Sequence, residues 1–312
     1  MDMKRNYYED VQLFTSGVVV FWFCALMVFL ALFPFLFKNY YVYVANYIAI
    51  NIIVVIGLNL LVGYTGQISL GHAGFFAIGA YGTIILMTKL HFPFLLALPV
   101  AALAAALFGF LLGLPALRLE GPYLTIATLG FGLTITQVIG RLEFFGGRQG
   151  LHAPDLIIGP WHLNTDRDFY YLLITITVLL TISARNLIKT RVGRAFIAIR
   201  DADIAAETMG VNLVLYKTLS FAVSAFYAGI GGGLFAFVLR FIEPEVFTLL
   251  MSIMFLAMAV VGGLGSIMGS IAGACLLSWL DLQLRNILSI HYLGDWLETL
   301  SKSYFSITGV SN

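Results

Sequence analysis

Residues 39–88, NYYVYVANYIAINIIVVIGLNLLVGYTGQISLGHAGFFAIGAYGTIILMT, contain no Asp, Glu, Lys or Arg. An apolar helix needs about 20 residues to cross a hydrocarbon core about 30 Å thick, so this run is long enough for two crossings. Gly63-Tyr64-Thr65-Gly66-Gln67 divides it. Its apolar residues are continuous and do not alternate with period two, which predicts helices and argues against strands.

The same absence of charge recurs along the chain, in residues 11–37, 90–117, 121–140, 218–239 and 246–280. Gly262-Gly263-Leu264-Gly265-Ser266 splits the last run. With 169–184 added, about nine helical segments are predicted, near 17–37, 43–62, 68–88, 94–114, 122–140, 169–188, 215–239, 246–261 and 267–288. The first is too long for the apolar part of a signal peptide and reads as a retained span. Of the 312 residues, 60% are hydrophobic and 11% charged, against roughly a quarter charged in soluble domains. The mean hydropathy is +0.95. A soluble enzyme is excluded, and the chain reads as one all-α, polytopic membrane domain over 1–312. A net charge of +1 gives no basic field for nucleic acid. Cys24 and Cys275 lie in apolar runs, which removes a disulfide scaffold or a cysteine metal site, and no cofactor is expected.

The region 63–74 concentrates small and polar residues in the middle of an uncharged run. Thr65, Gly66, Gln67, Ser69 and His72 become candidates for lining a translocation pathway, because non-helical backbone at membrane depth survives only against protein or a wet cavity. An ordinary turn with His72 hydrogen-bonded inside the bundle explains the composition equally well. Gly109/Gly113, Gly229/Gly233 and Gly269/Gly273 fit the small-xxx-small spacing that brings helix backbones together. The central parts of the helices hold no Asp, Glu, Lys or Arg, and neither a potassium-type filter nor a nucleotide loop occurs. The chain carries no energy-coupling device of its own.

Orientation rests on Arg185, Lys189, Arg191, Arg194 and Arg200, the densest basic cluster, which predicts a cytoplasmic loop and, counting back, a cytoplasmic N-terminus. The 141–168 segment and the turn Arg240-Phe241-Ile242-Glu243-Pro244-Glu245 then face outward. After the basic cluster, Asp201 to Gly210 reads as a short cytoplasmic helix, with Asp201 as N-cap, Ala205 and Ala206 as helix formers and Gly210 as stop. Two turns are marginal alone in water, so the helix either docks on something or is a solvated linker.

The segment Gly63 through Tyr81 resembles the signature of LivM-type permeases of bacterial branched-chain amino acid ABC importers (the LivH/LivM family). Glu120 through Leu129, Arg191 through Gly210, and Pro244 through Ser266 follow in the family's order, so the resemblance covers roughly 40–280. It implies a non-catalytic permease subunit of the inner membrane, importing Leu, Ile or Val by alternating access. Its implied partners are a sister permease, two cytoplasmic ATP-binding subunits and an external solute-binding protein. Asp203, Ala205, Ala206, Glu207 and Gly210 match the segment that couples to an ATPase. An importer of urea or short amides, or a self-contained channel or carrier, are the alternatives. Members of the family usually carry a further C-terminal span, which is expected to be absent from a chain that ends at Thr308-Gly309-Val310-Ser311-Asn312.

Overall fold

The computed structural model describes residues 17–116, 121–158, 161–162 and 165–289. The expectation about a last C-terminal span falls outside them, as does Glu120. The elements are α1 (Gly17–Leu36), α2 (Asn39–Thr65), α3 (His72–Thr88), α4 (Phe94–Ala116), α5 (Pro122–Arg141), α6 (Asp166–Lys189), α7 (Arg191–Asp201), α8 (Asp203–Thr208), α9 (Leu213–Leu239), α10 (Leu249–Gly262) and α11 (Ile267–Ser289). Four two-residue strands, β1 (Leu151–His152), β2 (Ile157–Ile158), β3 (Trp161–His162) and β4 (Phe241–Ile242), and three 3-10 turns, Glu143–Phe145, Gly147–Gln149 and Pro244–Val246, complete the described elements.

Six helices, α2, α4, α5, α6, α9 and α11, are long and apolar enough to cross a membrane. Three apolar stretches are shorter, Met27–Leu36 in α1 together with α3 and α10. The chain is a multi-pass, predominantly helical membrane protein; six of the nine predicted segments are long enough to span, and the other three fall in the shorter class.

Helices α2 and α9 are the two most buried of the long helices, and α9 packs against α2, α3 and α4. Their contacts require missing side chains. A Cβ on Gly79 of α3 would lie 2.0 Å from the Gly229 carbonyl oxygen of α9, so the two backbones touch directly. Gly109 and Gly113 of α4 face Phe221, Ala225 and Thr218 of α9, while Gly269 and Gly273 of α11 face Gly262 of α10. All three glycine pairs therefore serve helix packing, the role their spacing predicts.

Phe76, Phe235, Phe247 and Phe255 form an aromatic core between α3, α9 and α10, with ring centroids 5.0–6.4 Å apart. At one end of the bundle β1 pairs antiparallel with β4, Leu151 opposite Ile242. Ile242 is fully buried, so 240–245 is a packed element and not a merely solvated turn. We call this the hairpin end. The opposite end, where α7 and α8 lie, is the arm end.

Candidate functional site

The first break is shorter than its composition suggests. Helix α2 continues through Gly63, Tyr64 and Thr65, and α3 begins at His72, so only 66–71 is non-helical. Gly66 takes a left-handed conformation (φ 74°), and the Gln67 amide closes back on the Leu61 carbonyl at 3.2 Å, a Schellman stop. Beyond it the chain lives on side-chain partners. Gln67 Nε2 donates to Ser220 Oγ (3.0 Å) and Thr65 Oγ1 (3.2 Å). The Leu70 amide donates to Thr128 Oγ1 of α5 at 3.1 Å. His72 bridges Ser69 Oγ (3.1 Å) and Ser224 Oγ of α9 (2.7 Å), and the Ala73 amide reaches Ser252 Oγ of α10. The segment is thus pinned to α5, α9 and α10 at once. Gln67 Oε1 alone, though buried, has no partner.

A second break, 263–266, lies alongside. Asn59 of α2 holds it, donating to the Ser266 carbonyl (2.9 Å) and accepting from the Gly265 amide (2.9 Å). Arg200 joins both breaks to the arm. Its Nη1 donates to the Gly63 carbonyl at 3.0 Å, its side chain lies across Gly66, and a Cβ on Gly265 would come within 3.1 Å of the same nitrogen.

The arm itself departs from its prediction. Residues 191–201, read as a basic loop, form α7, capped by Thr190 and packed through Phe196 and Ile199. Asp201 ends that helix and pairs with Arg200 at 2.9 Å; it is not the N-cap of the next. Helix α8 covers only Asp203–Thr208, with Ala202 at its N-cap and no side-chain cap. Ala206 is buried; Ala205, Glu207 and Gly210 face solvent, as do Ile204 (75% exposed) and Met209 (86%). Gly210 has φ 87° and donates to the Glu207 carbonyl, which turns the chain toward α9. Asp203 pairs with Lys217 of α9 at 3.6 Å.

Three cavities follow α5 from end to end. The inner one, about 350 Å³, lies between the first break and the arm, lined by Thr65, Gly66 and Gln67 on one wall and Arg200, Asp203 and Lys217 on the other. The outer one, about 560 Å³, lies at the hairpin end between α5 and residues 244–249. Between them only about 10 Å³ remains, closed by Leu70, Leu129, Leu133, Phe247 and Leu249. That volume barely holds one water, so a nearly filled apolar stretch separates the two larger cavities. Of the predicted pathway residues, Thr65, Gly66 and Gln67 line the inner cavity. Ser69 and His72 are fully buried in the hydrogen-bond network that shapes its roof. Asn59, Lys217, Ser220 and Ser224 were not singled out beforehand, and Arg200 was read only as part of the basic cluster that sets orientation. A polar side chain within an apolar helix is the signal that marks Asn59, Ser220 and Ser224.

The described chain is thus a multi-pass helical protein with two larger cavities separated by an apolar constriction. The chain belongs to the family described as branched-chain amino acid transport system / permease component, which it matches over residues 40–305. It is 36% identical over 278 residues to the high-affinity branched-chain amino acid transport system permease protein LivM of Escherichia coli K12. The corresponding LivM of Salmonella typhimurium LT2 is 37% identical over the same length. Each match covers 81% of this chain and 65% of the relative, so the chain spans just under two thirds of those proteins. A probable LivH permease protein of Methanocaldococcus jannaschii is 26% identical over 234 residues, 72% of this chain and 74% of the relative. No solved structure matches.

Proposed function

We propose that the chain is the membrane-spanning, non-catalytic subunit of an ATP-driven importer that moves branched-chain amino acids into the cell. On this reading the nine apolar helices all enter the inner membrane, with the N-terminus and the arm end in the cytoplasm and the hairpin end outside. Lys189, Arg191, Arg194 and Arg200 at the arm end support that orientation. The inner cavity, with Thr65, Gly66 and Gln67 on its wall, is the cytoplasmic vestibule of the pathway. Ser69 and His72 hold its shape. Two cytoplasmic ATP-binding subunits, a LivH-type sister permease and an external solute-binding protein complete the assembly.

One observation carries the reading: a two-turn helix with exposed Ile204 and Met209 is wired to the closed pathway. Six residues do not hold a helix in water unaided, and two large apolar side chains at its surface suit a protein groove better than solvent. Asp203–Lys217 ties the helix to α9, and Arg200 ties the adjoining α7 to the end of α2. A pull on Asp203, Ala205, Ala206, Glu207 and Gly210 would therefore reach both walls of the inner cavity. A self-contained channel needs no such tether.

The double variant Glu207→Lys, Gly210→Pro tests this. Proline cannot take φ 87° and removes the amide that Gly210 donates to Glu207. In membranes containing the assembled importer, the variant should insert normally and leucine uptake should fall at least tenfold. Uptake at the unmodified rate would refute the coupling role. Transport of urea in place of leucine by the unmodified assembly would move the substrate to the amide class.

A further inference from the structure

The outer cavity carries a charge pattern that the helix-packing role of its walls does not require. Arg141 at the end of α5, Arg148 in the following turn and Glu245 in the segment before α10 all line it. None of the three side chains has an ion-pair or hydrogen-bond partner among the described residues. Two cations and one anion therefore share a space of about 560 Å³ without neutralising one another. All three side chains are exposed, whereas ion pairs do form at the arm end, Arg200 with Asp201 and Lys217 with Asp203.

The cavity also has an apolar floor, made by Leu133, Phe247 and Leu249, the residues that close the narrow middle of the route. Its walls are fixed to one another. Thr136 Oγ1 donates to the Phe247 carbonyl at 3.2 Å, and Gly140 lies against the ring of Pro244, where a Cβ would sit 3.6 Å away. Phe247 is anchored in turn by the rings of Phe76 and Tyr81. The charged groups thus stand on a rigid frame, with Phe247 and Leu249 belonging both to the cavity and to the closure beneath it.

We propose that this outer cavity is a reception site for a zwitterionic α-amino acid with an aliphatic side chain. The carboxylate meets the guanidinium groups of Arg141 and Arg148, which can bind it through paired N–H donors; the ammonium meets Glu245; the side chain rests on Leu133, Phe247 and Leu249. A neutral amide such as urea would leave all three charges unpaired. The cavity therefore selects for charge at both ends of the α-carbon, and it places the solute directly above the closure that must open. The assignment rests on the importer reading above.

The test uses the whole importer, with its ATP-binding subunits, sister permease and leucine-loaded binding protein, in proteoliposomes. Radiolabelled leucine is the probe. Arg141→Gln and Glu245→Gln should each lower uptake at least tenfold at saturating binding protein, while the subunits still co-purify and still capture the loaded binding protein. Arg141→Lys, which keeps the charge, should recover most of the loss. Leucine uptake unchanged in both glutamine variants overturns the assignment and leaves the importer reading intact. Loss of capture or assembly in step with uptake makes these residues a docking surface and also overturns it. An unmodified assembly that moves urea and no leucine overturns the importer's substrate and this site together.

Discussion

Between Thr65 and His72 the backbone leaves the helix for six residues; between Gly262 and Ile267 it leaves for four. Both breaks fall at the arm end, both begin near a glycine, and Arg200 touches both. Their solutions differ. The first carries its own polar side chains, Gln67 and Ser69, which are buried among α5, α9 and α10 while Gly66 and Ile68 are exposed. The second brings a single polar side chain, Ser266, lies partly open to solvent, and borrows Asn59 from α2. A free amide in a low-dielectric interior costs several kcal/mol, so a deep break must be satisfied by fixed protein partners. A shallow one can also fall back on water. The first break, the deeper one, lines the inner cavity, and the shallow one is held by Asn59 and touched by Arg200.

Substitution of the glycines separates the two most sharply. A Cβ on Gly71 would lie 2.1 Å from the Thr128 carbonyl oxygen, a contact that only a shift of α5 against α3 relieves. Gly71→Val should destabilise the protein by about 3 kcal/mol or more. Nothing lies within 4 Å of a Cβ on Gly263, whose φ of 110° is the only obstacle. Gly263→Ala should cost about 1–2 kcal/mol. Melting of the two variants in detergent checks the order, and equal midpoints would mean that the first break is no more tightly enclosed than the second.

Asn59→Leu comes next. It keeps the side-chain volume and removes the bonds to Gly265, Ser266 and the buried Ser270 hydroxyl. Because the turn can rehydrate, the expected cost is about 2 kcal/mol, near the middle of the range for a lost buried partner. Proteolysis should show the change locally, as faster cleavage within 262–267 with the 66–71 segment still protected. Cleavage at both sites together would make the two breaks one cooperative unit.

The helices were legible because charge is so sparse that its absence marks them out. The position of the first break was not, since a glycine shows where a helix can stop and not where its hydrogen bonds do. Gly63, read as part of the break, stays helical with its carbonyl bound by Arg200. Helix α7 was hidden by its arginines, although Val192, Ala195, Phe196 and Ile199 stand at the spacing of one helical face. Asp201 had the chemistry of an N-cap, and its neighbour Arg200 claimed it instead. Thr65, Gly66 and Gln67 line the inner cavity. The outer cavity was beyond local reading, because Thr136 and Phe247 meet across 111 residues of sequence.

Arg200 offers the smallest stability effect and the most direct test of whether the comparison bears on transport. Its side chain is 38% exposed, and the single bond to Gly63 contributes about 1 kcal/mol or less once water competes for both groups. Arg200→Gln should therefore melt within a few degrees of the unmodified protein. Its effect on uptake should be much larger than that, because the bond is the side-chain hydrogen bond by which α7 holds the end of α2. A drop of fivefold or more in leucine uptake, with normal assembly and near-normal melting, would show that the shallow and deep breaks move as parts of one device driven from the arm. Uptake that falls only in proportion to stability would leave Arg200 as a local clamp, and the arm would then have to act on the pathway through Asp203, Lys217 and α9.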